Sequence, residues 1–405
     1  MLAEVPKQAA GSMQVEGGLV RTDGTDTSST RLKVAIVSDA IYPYHRGGKE
    51  SRYHELIQRM SAQVDVDIYT MRWWEEAESP QLDGAQLHAI SPLVPLYVND
   101  RRSLAQAFRF GFACFRMLKY DFDVLEADHI PFLQVLILRL VTAIKRKPLI
   151  VTWHEVWGRA YWRQYLGLLG LAAWLIEELA MRAPDHIIAA SPQTAERLRK
   201  SIGTACPITV IPNGIDLEEV ASAYPDPATT DVAVVGRLIS HKRVDMLLEA
   251  IAKLRADGLA LTCRVIGNGP EQEKLHETAE RLAIGDLVEF RHDVTEQKDV
   301  YGNLKSAKVC VFPSSREGFG IAVLEALACG VHVITTSATD NMARHLVARS
   351  ARGVVCDDTV DALANAVRAG VSSENDDLGQ PEPWLSEYSW DAAAARVCQV
   401  LVSAE

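Results

Sequence analysis

The sequence predicts an α/β protein of two doubly wound domains, each with a Rossmann-like parallel sheet, facing each other across a cleft. The chain has 405 residues, more than the roughly 250 to 300 that one hydrophobic core organises. From Leu32 onward, short β-branched runs alternate with longer amphipathic stretches, the pattern of parallel strands joined by crossover helices. That pattern restarts near residue 231, after a segment rich in turn formers.

The elements follow in order. Residues 1–30 carry Gly, Ser, Thr and Asp without apolar periodicity and read as a flexible tail, lacking the basic start and apolar stretch of a secretory signal. The first domain, 31–215, opens on the strand LKVAIVS (32–38). A helix from Gly48 to Ser61 follows, then the strands VDVDIYT (64–70), DVLEA (123–127), LIVTW (149–153), HIIAA (186–190) and ITVIP (208–212). The stretch NGIDLEEVASAYPDPATTD, with its Pro and turn formers, suits a hinge. The second domain, 216–375, runs through DVAVVGRL (231–238), a helix from Val244, TCRVIG (262–267), a helix from Glu271, VEF (288–290) and KVCVFP (308–313). Residues 376–405 end in a helical segment, Trp390 to Val402, expected to pack back on the first domain.

Composition narrows the function. Apolar content of 48% with 23% charged residues is that of a globular protein. Seven cysteines stand singly, with no C-x-x-C pair, which argues against a disulfide framework or structural zinc and for a reducing cytoplasm. The longest apolar run, Leu166 to Ile176, falls short of the roughly 20 residues that span a bilayer. The net charge is −11, yet residues 31–218 hold 22 Lys and Arg against 21 Asp and Glu, so the acidity lies elsewhere. Nucleic acid is not an expected partner, because phosphate-backbone affinity needs a broad cationic surface.

The chemistry concentrates at strand ends. In Pro313-Ser-Ser-Arg-Glu-Gly-Phe-Gly-Ile-Ala-Val-Leu-Glu325 a strand ends, a glycine-bearing turn follows and a helix begins near Phe319. Glu317 falls at the carboxyl edge of the sheet, where open α/β sheets bind ligands, and Glu325 lies about two helical turns further on. Gly318 and Gly320 allow close backbone approach, and amides at a helix N-terminus favour an anion such as a diphosphate. Gly236-Arg237-Leu-Ile-Ser-His-Lys242 brings two cations to another strand end. The Arg fork and the compact Lys charge together could neutralise a leaving diphosphate. Pro212-Asn213-Gly-Ile-Asp216 and Gly267-Asn-Gly-Pro270 are further turns; the latter lacks the third glycine of a dinucleotide fingerprint.

These motifs, in this order and spacing, resemble the retaining GT-B glycosyltransferases of family 4, relatives of bacterial glycogen synthase and phosphatidylinositol mannosyltransferase. The resemblance covers Leu32 to about Ala369. It implies that Glu317 touches the donor sugar, that Glu325 binds the ribose hydroxyls, and that Arg237 and Lys242 clamp the diphosphate. His154, ending LIVTW, is similar in position to a family histidine that contacts the sugar. Gly47 and Gly48, after the first strand, resemble the glycine loop through which such enzymes approach the donor phosphates. The implied catalytic set is therefore Glu317, Arg237, Lys242 and His154. Donor contacts would come from Gly47, Gly48, Gly318, Phe319, Gly320 and Glu325, with Asn213 and Gly267 from the other two turns. The donor is a nucleotide-diphosphate sugar acting as substrate, with no cofactor. Related readings are a nucleotide-sugar 2-epimerase or an inactive sugar-nucleotide-binding protein.

Metal is not expected. Asp65-Val-Asp67 and Asp121-Phe-Asp123 match a D-x-D signature but sit at strand starts, opposite the ligand edge, and His154-Glu155 lacks the second histidine of a zinc protease. The acceptor is unidentified. Trp73, Trp74, Trp157, Tyr161, Trp162 and Trp174, with Arg101, Arg102, Arg109, Arg116 and Lys119, make the first domain aromatic and locally basic. That composition suits peripheral contact with an anionic membrane, at its inner face, and a lipid-linked acceptor. Equally, residues 159–181 could form one buried core helix.

Overall fold

The computed structural model describes residues 31–404 apart from 46, 76–77, 79, 99–100, 204–205 and 374–380, so the tail read over 1–30 lies outside the described residues. Two parallel sheets organise the rest. In the first half, β1 (Lys33–Val37), β2 (Asp65–Met71), β3 (Ala85–Ser91), β4 (Val124–Asp128), β5 (Leu149–Trp153), β6 (His186–Ala189) and β7 (Ile208–Val210) lie in the order β7-β6-β5-β4-β1-β2-β3. In the second, β8 (Thr230–Val235), β9 (Cys263–Ile266), β10 (Val288–Arg291), β11 (Ala307–Phe312), β12 (His332–Thr336) and β13 (Gly353–Cys356) lie in the order β10-β9-β8-β11-β12-β13. In each sheet the chain starts in the middle, winds one way, then returns and winds the other. This doubly wound order opens a crevice at the carboxyl ends of the strands where it reverses.

Alternation along each central strand feeds two cores. Val34 and Ile36 of β1 point to one face and Ala35 and Val37 to the other. In β8, Val232 and Val234 likewise oppose Ala233. A strand buried on both faces must be apolar at every position, which is why these runs read as continuous rather than alternating.

Helices cover both faces of the sheets. α1 (Gly48–Met60) packs with the last helix, Trp390–Ala404, whose Trp390, Val397 and Leu401 join Leu56 and Ile57 in one cluster. Arg59 Nε donates to Asp391 Oδ1 at 2.9 Å on its rim. α2 (Leu104–Ala113), α3 (Phe132–Lys145), α4 (Gly158–Leu166) and α5 (Gly170–Met181) follow in the first half. The single helix expected over 159–181 is therefore two. Gly167 takes φ of +61°, and a Cβ on Gly170 would sit 2.1 Å from the Trp162 carbonyl oxygen, so the two glycines turn α5 back against α4.

Candidate active site

The two glycine-bearing loops of the sequence stand at the switch points of the two sheets, and they touch. In the second half, the crevice between β8 and β11 is lined by Gly236, Arg237, Lys242, Pro313 and Ser314. A short turn, Ser240–Lys242, presents Lys242, and the Ser315 amide donates to the His241 carbonyl at 2.9 Å, locking the turn to the loop after β11. Lys242 Nζ pairs with Glu317 Oε1, which also accepts from Ser314 Oγ at 2.9 Å. Glu317 borders a second cleft between the halves, lined also by Glu155, Thr194, Arg197, Arg316 and Gly318.

The first half meets this loop closely. A Cβ on Gly318 would lie 2.9 Å from the His154 carbonyl oxygen, and one on Gly48 3.2 Å from Ile321 Cδ1. Arg316 forms an ion pair with Glu155 Oε1 at 2.8 Å, its guanidinium 4.0 Å from the Tyr161 ring centre and 4.9 Å from that of Trp157. Arg237 lies over the Tyr97 ring at 4.6 Å. Gly320 takes φ of +93° to open helix Ile321–Ala328, and a Cβ there would strike Ala343.

His154 is held neutral. Burial pushes its imidazole down to about 3, opposed by Asp128, whose Oδ1 lies 3.9 Å from Nε2. That Nε2, shielded from solvent, has no hydrogen-bond partner among the described residues. Beside it lies a charge cluster that the sequence reading missed: Lys49 Nζ reaches Asp39 Oδ1 at 2.6 Å and Asp128 Oδ2 at 2.5 Å, and Arg102 reaches Asp39 Oδ2 at 3.1 Å. Burial alone would raise the Asp128 carboxyl, but the Lys49 charge and the His129 hydrogen bond outweigh it and hold it well below the usual carboxylate range. The signal was present: Asp39 and Asp128 stand at the carboxyl ends of the two strands that flank the switch point.

Four of the residues expected to contact the donor also make contacts within the protein. Asn213 is buried, and its amide oxygen accepts from the buried Arg52 guanidinium at 3.0 Å. Its neighbour Gly214 lets Trp390 approach, since a Cβ there would lie 2.6 Å from that ring, so the NGID turn is a structural joint. The Phe319 ring is buried against Tyr388, ring centres 5.9 Å apart. Gly267, at φ of +130°, allows its loop to rest on Gly236, whose carbonyl oxygen would lie 2.1 Å from a Cβ; it braces the Arg237 loop from behind. Glu325 is half-buried and accepts from Gln297 Nε2 at 2.7 Å. Gly47 caps α1 in extended geometry, without a side-chain capping bond.

Two doubly wound halves meeting at their switch points form the GT-B architecture. Residues 46–219 match the family model described as Glycosyltransferase Family 4, and residues 223–379 the model described as Glycosyl transferases group 1. The chain belongs to the GT-B glycosyltransferases of the family 4 type. Among its relatives, the GDP-mannose-dependent alpha-(1-6)-phosphatidylinositol dimannoside mannosyltransferase of Mycobacterium tuberculosis is 30% identical over 210 residues, 49% of this chain and 53% of the relative. The glycogen synthase of the same species is 25% identical over 266 residues, 64% of each chain. This chain thus spans about half to two thirds of the length of these relatives. Among solved structures, sucrose-phosphate synthase from Thermosynechococcus elongatus superposes with a TM-score of 0.76 at 19% identity, over 92% of this chain and 99% of the other. Anabaena HepE in complex with UDP-glucose does so at 0.70 and 17%, over 92% and 100%.

Proposed function

We propose that this chain moves a hexosyl group from a nucleotide-diphosphate sugar to a hydroxyl of a lipid-linked or glycan-precursor acceptor, with retention at the anomeric carbon. The observation that carries this is the Lys242–Glu317 pair at the second switch point, closed over by His154 and the Gly47-Gly48 loop of the first half. In transfer the bond from the anomeric carbon to the diphosphate oxygen breaks, a bond to the acceptor oxygen forms on the same face, and the acceptor proton passes to the departing phosphate. Negative charge builds on the diphosphate. Arg237 and Lys242 are the cations lining the crevice that would receive it. The Lys242 ammonium has three N–H donors, so it can keep Glu317 while holding a phosphate oxygen. Ser314 holds the Glu317 carboxylate, which would meet the donor sugar, and neutral His154 would offer its unpartnered Nε2 to a sugar hydroxyl. HepE, of the same fold, binds UDP-glucose, which supports a nucleotide-sugar donor here. The family matches favour transfer over the 2-epimerase reading.

The test is slow donor hydrolysis in the absence of acceptor, with UDP-, GDP- and ADP-hexoses offered in parallel. Proton NMR at early times should show the α-hexose first from an α-linked donor. Appearance of the β-hexose first removes retention, and an isomerised nucleotide sugar without hydrolysis removes transfer altogether.

A further inference from the structure

A helix on a doubly wound sheet needs one apolar stripe, against the sheet, with polar residues outside. Three neighbouring helices of the first half carry two. α2 and the turn that continues it, Cys114–Lys119, bury Phe110 and Met117, yet Phe108, Phe112 and Phe115 stand on the outer side, Phe112 56% exposed. α3 buries Val135, Leu138 and Val141, while Leu140 and Ile144, one turn apart, face solvent, Ile144 at 68%. At the turn between α4 and α5, Leu168 is 97% exposed with Leu169 beside it, and α5 adds Leu171, Leu175 and Leu179 at intervals of four. α2 packs on α3 and α3 on α5, so the outer stripes belong to one helical layer. The second half exposes only scattered apolar residues, Tyr224, Val354 and Val355, among the described ones.

The layer is also cationic. Residues 101–119 hold five Arg and Lys and 131–148 hold four, with no Asp or Glu in either segment, in a chain of net charge −11. Arg109, Arg116, Lys119 and Arg146 are exposed and pair with no carboxylate among the described residues. Large exposed apolar patches mark interaction surfaces. A second copy is disfavoured, because a self-complementary contact would set like charges face to face. An anionic bilayer satisfies both features: leucines and phenylalanines enter the acyl boundary while Arg and Lys reach the headgroups. The layer also borders the cleft, since α4 begins beside Trp157, which stacks on Arg316 next to Glu317.

We infer that the outer face of α2, α3 and α5 docks on an anionic bilayer, with the Leu168–Leu169 tip inserted, and that the cleft receives its acceptor from that surface. The last clause rests on the transfer reading; the docking does not. The test is flotation of the full chain with vesicles of phosphatidylcholine alone and of phosphatidylcholine with about one third phosphatidylglycerol. Wild type should float with the anionic vesicles and stay behind with the neutral ones. Leu168→Ser with Leu169→Ser should lower the partition coefficient about tenfold or more. Arg109→Gln and Arg116→Gln should each lower it roughly fivefold. Donor hydrolysis unchanged in all variants shows that they are folded. Wild type remaining in the soluble fraction with both vesicles overturns the docking, as does a dimer dissolved by the leucine substitutions. Flotation without donor hydrolysis by wild type leaves the docking standing and removes the transfer reading instead.

Discussion

At the switch point of the first half, Lys49 lies between Asp39 and Asp128, with Arg102 and Gln106 completing the contacts of Asp39. At that of the second half, Lys242 meets one carboxylate, Glu317, and Arg237 has an aromatic ring over it. The topologies are alike, but the first crevice is neutralised from within and the second keeps an excess of positive charge. The shared fold supplies the place where a ligand can sit; side chains at the strand ends decide whether the place is filled by the protein or left for an anion. The outer surfaces differ in the same sense, one half presenting an apolar and cationic helical layer and the other a surface without one.

The contrast can be broken by substitution. The largest effect is expected from Lys49→Met, which leaves two buried aspartates facing each other. Stability should fall by about 3 to 5 kcal/mol in denaturant unfolding, and a loss below about 1 kcal/mol would mean that the cluster is not internally balanced. Lys242→Ala should do the reverse, lowering donor turnover by about 10² to 10³-fold, or about 3 to 4 kcal/mol, while stability changes by less than about 1 kcal/mol. Steady-state hydrolysis alongside an unfolding curve separates the two effects, and equal turnover would sink the clamp assignment.

Glu325 sharpens the comparison through pH. Burial pushes its carboxyl up to about 7, against the Gln297 hydrogen bond and aided by Glu219, whereas Asp128 is held low. The folded state therefore binds this proton more tightly than the unfolded one. The stabilisation is complete below about pH 4.5 and is lost as pH rises toward 7. Glu325→Gln cannot ionise, so relative to wild type its stability should improve by about 2 kcal/mol between acid and mildly alkaline buffer. Parallel denaturation curves at the two pH values check it, and a constant difference between the proteins refutes it. Smallest is Tyr97→Leu, which removes the ring over Arg237 and should shift donor affinity by about 0.5 to 1 kcal/mol, measurable by calorimetry.

Much of the fold was legible because apolar strand runs are short and local. LIVTW coincides with β5, and DVLEA, TCRVIG and KVCVFP each fall within a residue or so of an observed strand. Strands β3, β12 and β13 went unread. Ala85–Ser91 carries Gln and His, while His332–Thr336 and Gly353–Cys356 follow turns closely enough to blur into them. At the site, the loops holding Arg237, Lys242 and Glu317 were legible because glycine and charge at a strand end are a local pattern. The lysine between two aspartates was not, since Asp39, Lys49 and Asp128 lie on separate elements and only the order of β1 and β4 in the sheet joins them.

The linear chain was enough for the two doubly wound halves and for the loops that carry cations and glutamates, because each follows from periodicity or spacing within one short segment; the family was read as a resemblance across several such motifs. Packing settled which of those residues meet, that Asn213 bonds Arg52 and Phe319 packs on Tyr388, and that three helices keep a second apolar face outward. Those outcomes depend on what each side chain finds across the sheet or the cleft, and a linear pattern does not contain its own neighbours.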